Sequence, residues 1–298
     1  MIGHCARWAG LALMSLACAG SGTSGTTPRT TPAPRTAAPS APGAAAPAAA
    51  EHGKAVMLAP PPFARYVLRR SDSVGVQLPD SSTRTQVFER DAWLDTRASN
   101  ETGGFKLVIT LDSIAVTGPM LPPQAALDSA RGVRWTAHLS TEGKLSSVEA
   151  DRPSSIASQF AAMFPYLYPS LPDPDIRAGA AWTDSATTPT RADNFDVTER
   201  AQLHYVVTGP VVHGNGTVLV ISGTGTFART GTATQFGQPM QLESGGNRTV
   251  THYLSMDGVP AGLEGSETSK ATITVPAVGQ SLNVTQASHF TVGIEATP

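Results

Sequence analysis

Beyond about residue 60, apolar and polar side chains alternate with a period of two. In Phe105-Lys106-Leu107-Val108-Ile109-Thr110-Leu111-Asp112 the odd positions are apolar and most even ones polar. Val133-Arg134-Trp135-Thr136-Ala137-His138-Leu139 alternates without exception, and Gln202 to Thr208 and His289 to Ile294 follow the rule more loosely. Successive side chains of a strand point to opposite faces. Each segment therefore predicts a strand with one buried and one solvated face, the mark of antiparallel sheet. Glu142-Gly143, Asp257-Gly258 and Gly214-Asn215-Gly216 stand between such runs as hairpin turns. The pattern amounts to roughly ten to twelve strands. In the strand at residues 218–227 the glycines are expected to mark a bend or bulge.

One segment breaks this period. From Ser154 to Phe164, apolar Ile156, Phe160, Met163, Phe164 and Leu167 recur at helical spacing, with Pro153 at the start and Pro165 at the end. A second short helical turn fits Gln124 to Ala130. The run Tyr166-Leu167-Tyr168-Pro169-Ser170-Leu171-Pro172-Asp173-Pro174 is too rich in proline for a helix or a central strand and predicts an extended surface loop. Leu139-Ser140-Thr141-Glu142-Gly143 and Leu254-Ser255-Met256-Asp257-Gly258 share an L-S-x-acid-G pattern. Two halves built on similar hairpins would explain it, and so would chance recurrence of a common turn.

The first 54 residues are of another kind. Trp8 to Ala17 is an apolar run behind Arg7, about ten residues long where roughly 20 are needed to span a bilayer, and it reads as an export signal over residues 1–18. Ser15-Leu16-Ala17-Cys18 resembles the lipobox of bacterial lipoproteins, with Ser15 where that family usually has Leu; the resemblance implies lipid attachment at Cys18 and, with Ala19 following, sorting to the outer membrane. Ala17-Cys18-Ala19 also satisfies the A-x-A rule of ordinary signal peptidase, which would discard the cysteine and leave a soluble periplasmic or secreted protein. Residues 19–54 are dominated by Ala, Pro, Thr, Ser and Gly; such a segment buries too little apolar surface to offset its ordering entropy and predicts a disordered tether. A long tether is of use to an anchored domain and of little use to a free one. Residues 55–298 then form the β domain.

Phe164-Pro165 … Leu171-Pro172-Asp173-Pro174-Asp175-Ile176-Arg177-Ala178-Gly179-Ala180-Ala181-Trp182 resembles a segment of uncharacterised bacterial secreted proteins and lipoproteins, in which an FP…LP…G..W run follows an L..dGk hairpin, here Leu139 to Lys144. More distantly, a long antiparallel sheet curled around one or two helices is similar to the half-barrel of periplasmic lipoprotein carriers. The implied fold is mainly β: a large curved, half-barrel-like antiparallel sheet with one covering helix. No functional residue carries over.

Composition narrows the chemistry. The formal net charge is -2 and no Lys/Arg block occurs, so the basic face that nucleic acid requires is missing. Cys5 and Cys18 are the only cysteines, which leaves the β domain without disulfides, thiolate metal sites or a thiol nucleophile. His138, His204 and His289 occupy polar strand positions, and His213 adjoins a turn; none has metal-ligand spacing. No G-x-S-x-G occurs in the domain, Gly223-Thr224-Gly225 lies inside a strand pattern and not between strand and helix, and Asp173, Asp175 and Asp184 lack the Gly and Glu of a calcium loop. No catalytic residue, cofactor or metal is expected. An enzyme acting on envelope polymers would show itself by carboxylates clustered in a cleft. What remains is apolar: Phe160, Phe164, Tyr166, Tyr168 and Trp182 could line a groove between helix and sheet that suits an acyl chain, or could simply fill the core. The expected function is that of a non-enzymatic envelope lipoprotein. Its partners would be the membrane, through its anchor, and a lipid or an envelope protein. The alternative is an interaction module without a ligand pocket.

Overall fold

The computed structural model describes residues 55–295, apart from 79, 80, 120, 193, 194, 215 and 236. Cys18, the export signal and the tether lie outside the described residues, as does Asn215 of the third predicted turn. The strands are β1 (Val56–Met57), β2 (Phe63–Gln77), β3 (Thr83–Glu101), β4 (Gly104–Thr117), β5 (Arg134–Ser140), β6 (Leu145–Ala150), β7 (Asp175–Ile176), β8 (Ala181–Ala192), β9 (Phe195–His213), β10 (Gly216–Gln235), β11 (Gln238–Ser255), β12 (Pro260–Val275) and β13 (Gln280–Glu295). Helix α1 is Gln124–Ala130 and α2 is Ser155–Met163.

Eleven strands form one curled antiparallel sheet in the order β6-β5-β4-β3-β2-β13-β12-β11-β10-β9-β8, and β1 pairs with β7. The fold is thus the half-barrel expected, with a second short helix beside the covering one. Every neighbouring pair in the large sheet joins consecutive strands except β2 with β13, which are zipped from Arg65↔Glu295 to Val76↔Val284. Period-two patterning fixes this register, because a one-residue slip would turn each buried set out to solvent.

Glycines allow the sheet to curl. A Cβ at Gly225 would lie 1.9 Å from the Gln202 carbonyl oxygen, and one at Gly246 would lie 2.0 Å from that of Thr268. Neighbouring strands approach these positions more closely than any side chain permits. The glycines of residues 218–227, where a bend or bulge is expected, thus serve close approach where the sheet curls, and the register shift of that strand lies elsewhere. The register is continuous through Gly223 and Gly225, and it shifts between Leu219 and Val220, opposite the extra residue Gly209.

Helix α2 begins at the N-cap Ser154, whose hydroxyl accepts from the Ala157 N–H at 3.1 Å. Pro153 precedes this cap, and Pro165 sits in a 3-10 turn, Phe164–Tyr166, that continues the helix. The helix packs on β8 and β6, the two edge strands of the sheet, and buries Ala157, Phe160 and Met163. The two L-S-x-acid-G turns have the same construction. Ser140 Oγ accepts from the N–H groups of Glu142 and Lys144, and Ser255 Oγ accepts from those of Asp257 and Val259. Each turn also receives a covering segment: Leu171 N–H donates to the Glu142 carbonyl at 2.7 Å, and Ala59 N–H to the Gly258 carbonyl at 2.8 Å.

Candidate functional site between the covering helix and the sheet

The five aromatic residues singled out in the sequence fall into four environments. Phe160 and Phe164 are fully buried against Trp135 of β5, Phe164 edge-on with ring centroids 5.0 Å apart and Phe160 tilted at 6.1 Å. These rings fill the space beneath the C-terminal half of α2. Tyr168 is buried farther along the covering loop, where burial, with a smaller contribution from Tyr66, raises its hydroxyl well above the ordinary tyrosine range. Trp182, half-buried on β8, stacks on Tyr205 at 5.2 Å and donates its indole N–H to the Ser170 carbonyl at 2.9 Å, tying the covering loop to the sheet edge. Tyr166 alone points to polar company.

That company is a buried ionic network on the concave face. Arg70 and Asp72 come from β2, Glu199 from β9, Arg229 from β10, Arg248 from β11 and Glu267 from β12, and all six are buried. Arg248 holds Glu199 in a two-pronged pair at 2.9 and 3.0 Å and reaches Glu267 with Nε at 2.5 Å. Arg229 bonds Glu199 through Nε and Glu267 through Nη2 at 3.3 Å. Arg70 holds Asp72 at 2.9 and 3.0 Å and Ser288 Oγ at 3.1 Å, and it lies 3.8 Å from Glu267. The Tyr166 hydroxyl donates to Glu199, while its ring lies under the Arg248 guanidinium at 4.3 Å. Phe227 stacks beneath both Arg229 and Arg248, at 4.1 and 4.8 Å. Three guanidinium groups thus face three carboxylates, a geometry that repays desolvation only when the hydrogen bonding is this complete.

The electrostatics follow from that balance. Burial opposes charge on Glu199 and Glu267, yet the adjoining arginines outweigh it and hold both carboxyls below the usual range. Burial likewise opposes charge on Arg248, and Glu267, Tyr166 and Glu199 more than compensate. Burial pushes the Tyr166 hydroxyl up, so it remains a donor. Between α2 and the network lies a cavity of about 40 Å³, with Met163 and Leu167 on the helix side, Leu68, Leu263 and Phe290 on the sheet side, and the arginines at its floor. A space of this size holds one or two water molecules and no acyl chain.

The alternation carried a sign of this network that a search for motifs passes over. Glu199 stands in phase with the inward-facing Val197 and Ala201, Arg229 with Phe227, and Arg248 with Val250. His252, in phase with Val250 and Leu254, is buried as well. Burial alone lowers its pKa to about 4, and its Nδ1 has no partner among the described residues. Among the described residues no group of three His, Cys, Asp or Glu side chains could hold a metal ion. His138, His204 and His289 lie on the outward face, where the alternation put them.

The convex face is different in kind. Thr224, Thr226, Thr230, Thr232 and Thr234 of β10 all point to solvent, and hydroxyl pairs join neighbouring strands at Thr249–Ser266 (2.8 Å) and Thr274–Ser281 (3.2 Å). A shallow groove of about 440 Å³ crosses this side, lined chiefly by outward-facing Gly245, Asn247, Thr268, Lys270, Thr285 and Ser73. In comparisons with known proteins, no family model matches the chain and no curated protein matches it.

Proposed function

We propose that this chain is an exported, non-enzymatic lipoprotein of the bacterial envelope. It is anchored at Cys18 in the outer membrane, and its half-barrel is a rigid platform that offers its convex face to an envelope protein. The observation carrying this reading is the contrast in free space: about 40 Å³ remains between α2 and the sheet, against about 440 Å³ in the groove outside. Carboxylates do cluster inside, as an enzyme would need, but Glu199 and Glu267 are locked to arginines and held ionised, unable to serve as general acids. Among the described residues no helix is long and apolar enough to cross a membrane.

The test is cross-linking in cells from a photo-reactive residue at Thr226 or Thr268. Recovery of one envelope protein from these positions, and not from the inward position Val250, is the expected result. Failure to recover any stable adduct would sink the platform reading.

A second reading, an amphiphile held between α2 and the sheet, is favoured by one observation. The cavity is apolar on its walls and arginine-rich at its floor, and Tyr166, bonded to Glu199, lines it from the covering segment. Binding would require Tyr166 and the following loop to swing away. Native mass spectrometry of the protein from its producing host would find a co-purified lipid if this reading holds. The mass of the mature N-terminus reports independently whether Cys18 is acylated or removed.

A further inference from the structure

The two ends of the half-barrel are unlike. The chain enters the domain at β1, where Ala59 donates to Gly258 in the β11–β12 turn, and the start of β2 lies beside the end of β13 through Arg65↔Glu295. The β9–β10 turn, after His213, belongs to the same end, because β10 begins there and runs antiparallel to β11. Five of the nine large apolar side chains exposed among the described residues stand on this rim: Met57 (58%), Phe63 (42%), Val211 (42%), Val212 (83%) and Ile294 (38%). Isolated exposed apolar residues need no explanation, but collection at one end of an elongated sheet does.

We infer that this rim docks on a lipid surface, with the Val211-Val212 hairpin tip as its main apolar contact. The inference rests on the anchored reading of Cys18. The 54 preceding residues, which carry the candidate acylation site, join the sheet at this rim and not at the opposite end. An anchor that attaches on this side brings this side to the bilayer first. A weak contact in series with an anchor adds to residence at the surface and fixes the orientation of the domain there. Acidic and basic groups are interleaved here, as in Arg65 with Glu295 and Arg177 with Asp175, so the rim presents no single-sign field. The attraction is apolar and is expected on zwitterionic lipid, with little dependence on salt.

The test uses the full chain with Cys5→Ser and Cys18→Ser, so that no acyl group contributes, and adds Val212→Cys labelled with an environment-sensitive fluorophore. Phosphatidylcholine vesicles should shift its emission to the blue, while the same label at Val278→Cys, on the far end of the sheet, should not respond. In vesicle flotation the double substitution Val211→Asp and Val212→Asp should lower the partition coefficient by at least about tenfold, with an unchanged thermal melt. Equal responses from both ends, or no response at Val212, would overturn the rim contact. Flotation strengthened only by anionic lipid would also overturn it, in favour of a charge-driven site. The mass of the mature N-terminus separates this outcome from failure of the anchor: an acylated Cys18 with a silent rim leaves the anchored reading standing and removes only the docking surface.

Discussion

Two parts of the concave interior are both buried and are held by opposite physics. Around Trp135, Phe160 and Phe164 the contact is between rings, non-directional and tolerant of small changes in shape. Around Arg248, Glu199 and Glu267 every contact is directional, and each group is affordable only because its partners are present. The first region would survive a conservative substitution with a local rearrangement. The second would lose its balance as a whole, because removing one partner leaves the remaining charges buried without compensation.

The sharpest way to break this comparison is Arg248→Met, which keeps much of the volume and removes the charge shared by two carboxylates. It is expected to cost about 3–5 kcal/mol in urea denaturation; a loss under 1 kcal/mol would mean that water or movement relieves the network.

Acid provides a second test of similar size. His252 has its pKa depressed to about 4 by burial, so the folded state takes up its proton later than the unfolded chain. Stability should therefore decline as pH falls from about 6.5 towards 4, by up to about 3 kcal/mol. His252→Leu should flatten this window. The network carboxylates act lower on the scale. Glu199 and Glu267 are held below their ordinary 4.5, so their contribution is complete above that value and is lost on further acidification. A wild-type profile flat between pH 6.5 and 4.5 would remove the histidine account.

Smaller effects sharpen the contrast. Tyr166→Phe deletes one hydroxyl donor to Glu199 and keeps the ring under Arg248; it should cost about 1–1.5 kcal/mol and should accelerate hydrogen exchange in the covering loop. Phe160→Leu, in the ring cluster, should cost roughly 1 kcal/mol, read from the shift in denaturation midpoint. If Phe160→Leu proved more damaging than Arg248→Met, the assignment of tolerant and intolerant regions would be reversed.

Much of the architecture was legible because a strand with one wet face writes itself into the sequence. β4, β9 and β13 contain segments that alternation marked, β5 begins one residue inside the segment from Val133 to Leu139, and Ser154 to Phe164 encloses α2. The curl was not legible from alternation, since it depends on how closely strands approach at Gly225 and Gly246, a property of pairs that one strand's pattern does not contain. Bend and bulge stayed undivided for a related reason: glycine permits both a bulge and close packing, and only register distinguishes them. At the candidate site, residue type misled where phase would have helped. The aromatic residues attracted notice as a group, yet Phe160 and Tyr166 serve different regions. Glu199, Arg229, Arg248 and Glu267 lie on four successive strands, where Glu199 faces Arg229 and Glu267 faces Arg248 across the ladder; that register belongs to the paired strands and cannot be read from one strand's pattern.

The single seam between β2 and β13 has a consequence for how the chain acquires its structure. Strands β2 to β6 and β8 to β13 are two runs of neighbours in sequence, each able to form by successive hairpins, whereas the seam joins residues more than two hundred positions apart. Loss of the sixteen residues of β13 would leave two separate meanders with four raw edges in place of one sheet. A polypeptide that appears N-terminus first would therefore stay unfinished, and open to aggregation, until β13 is free to pair with β2.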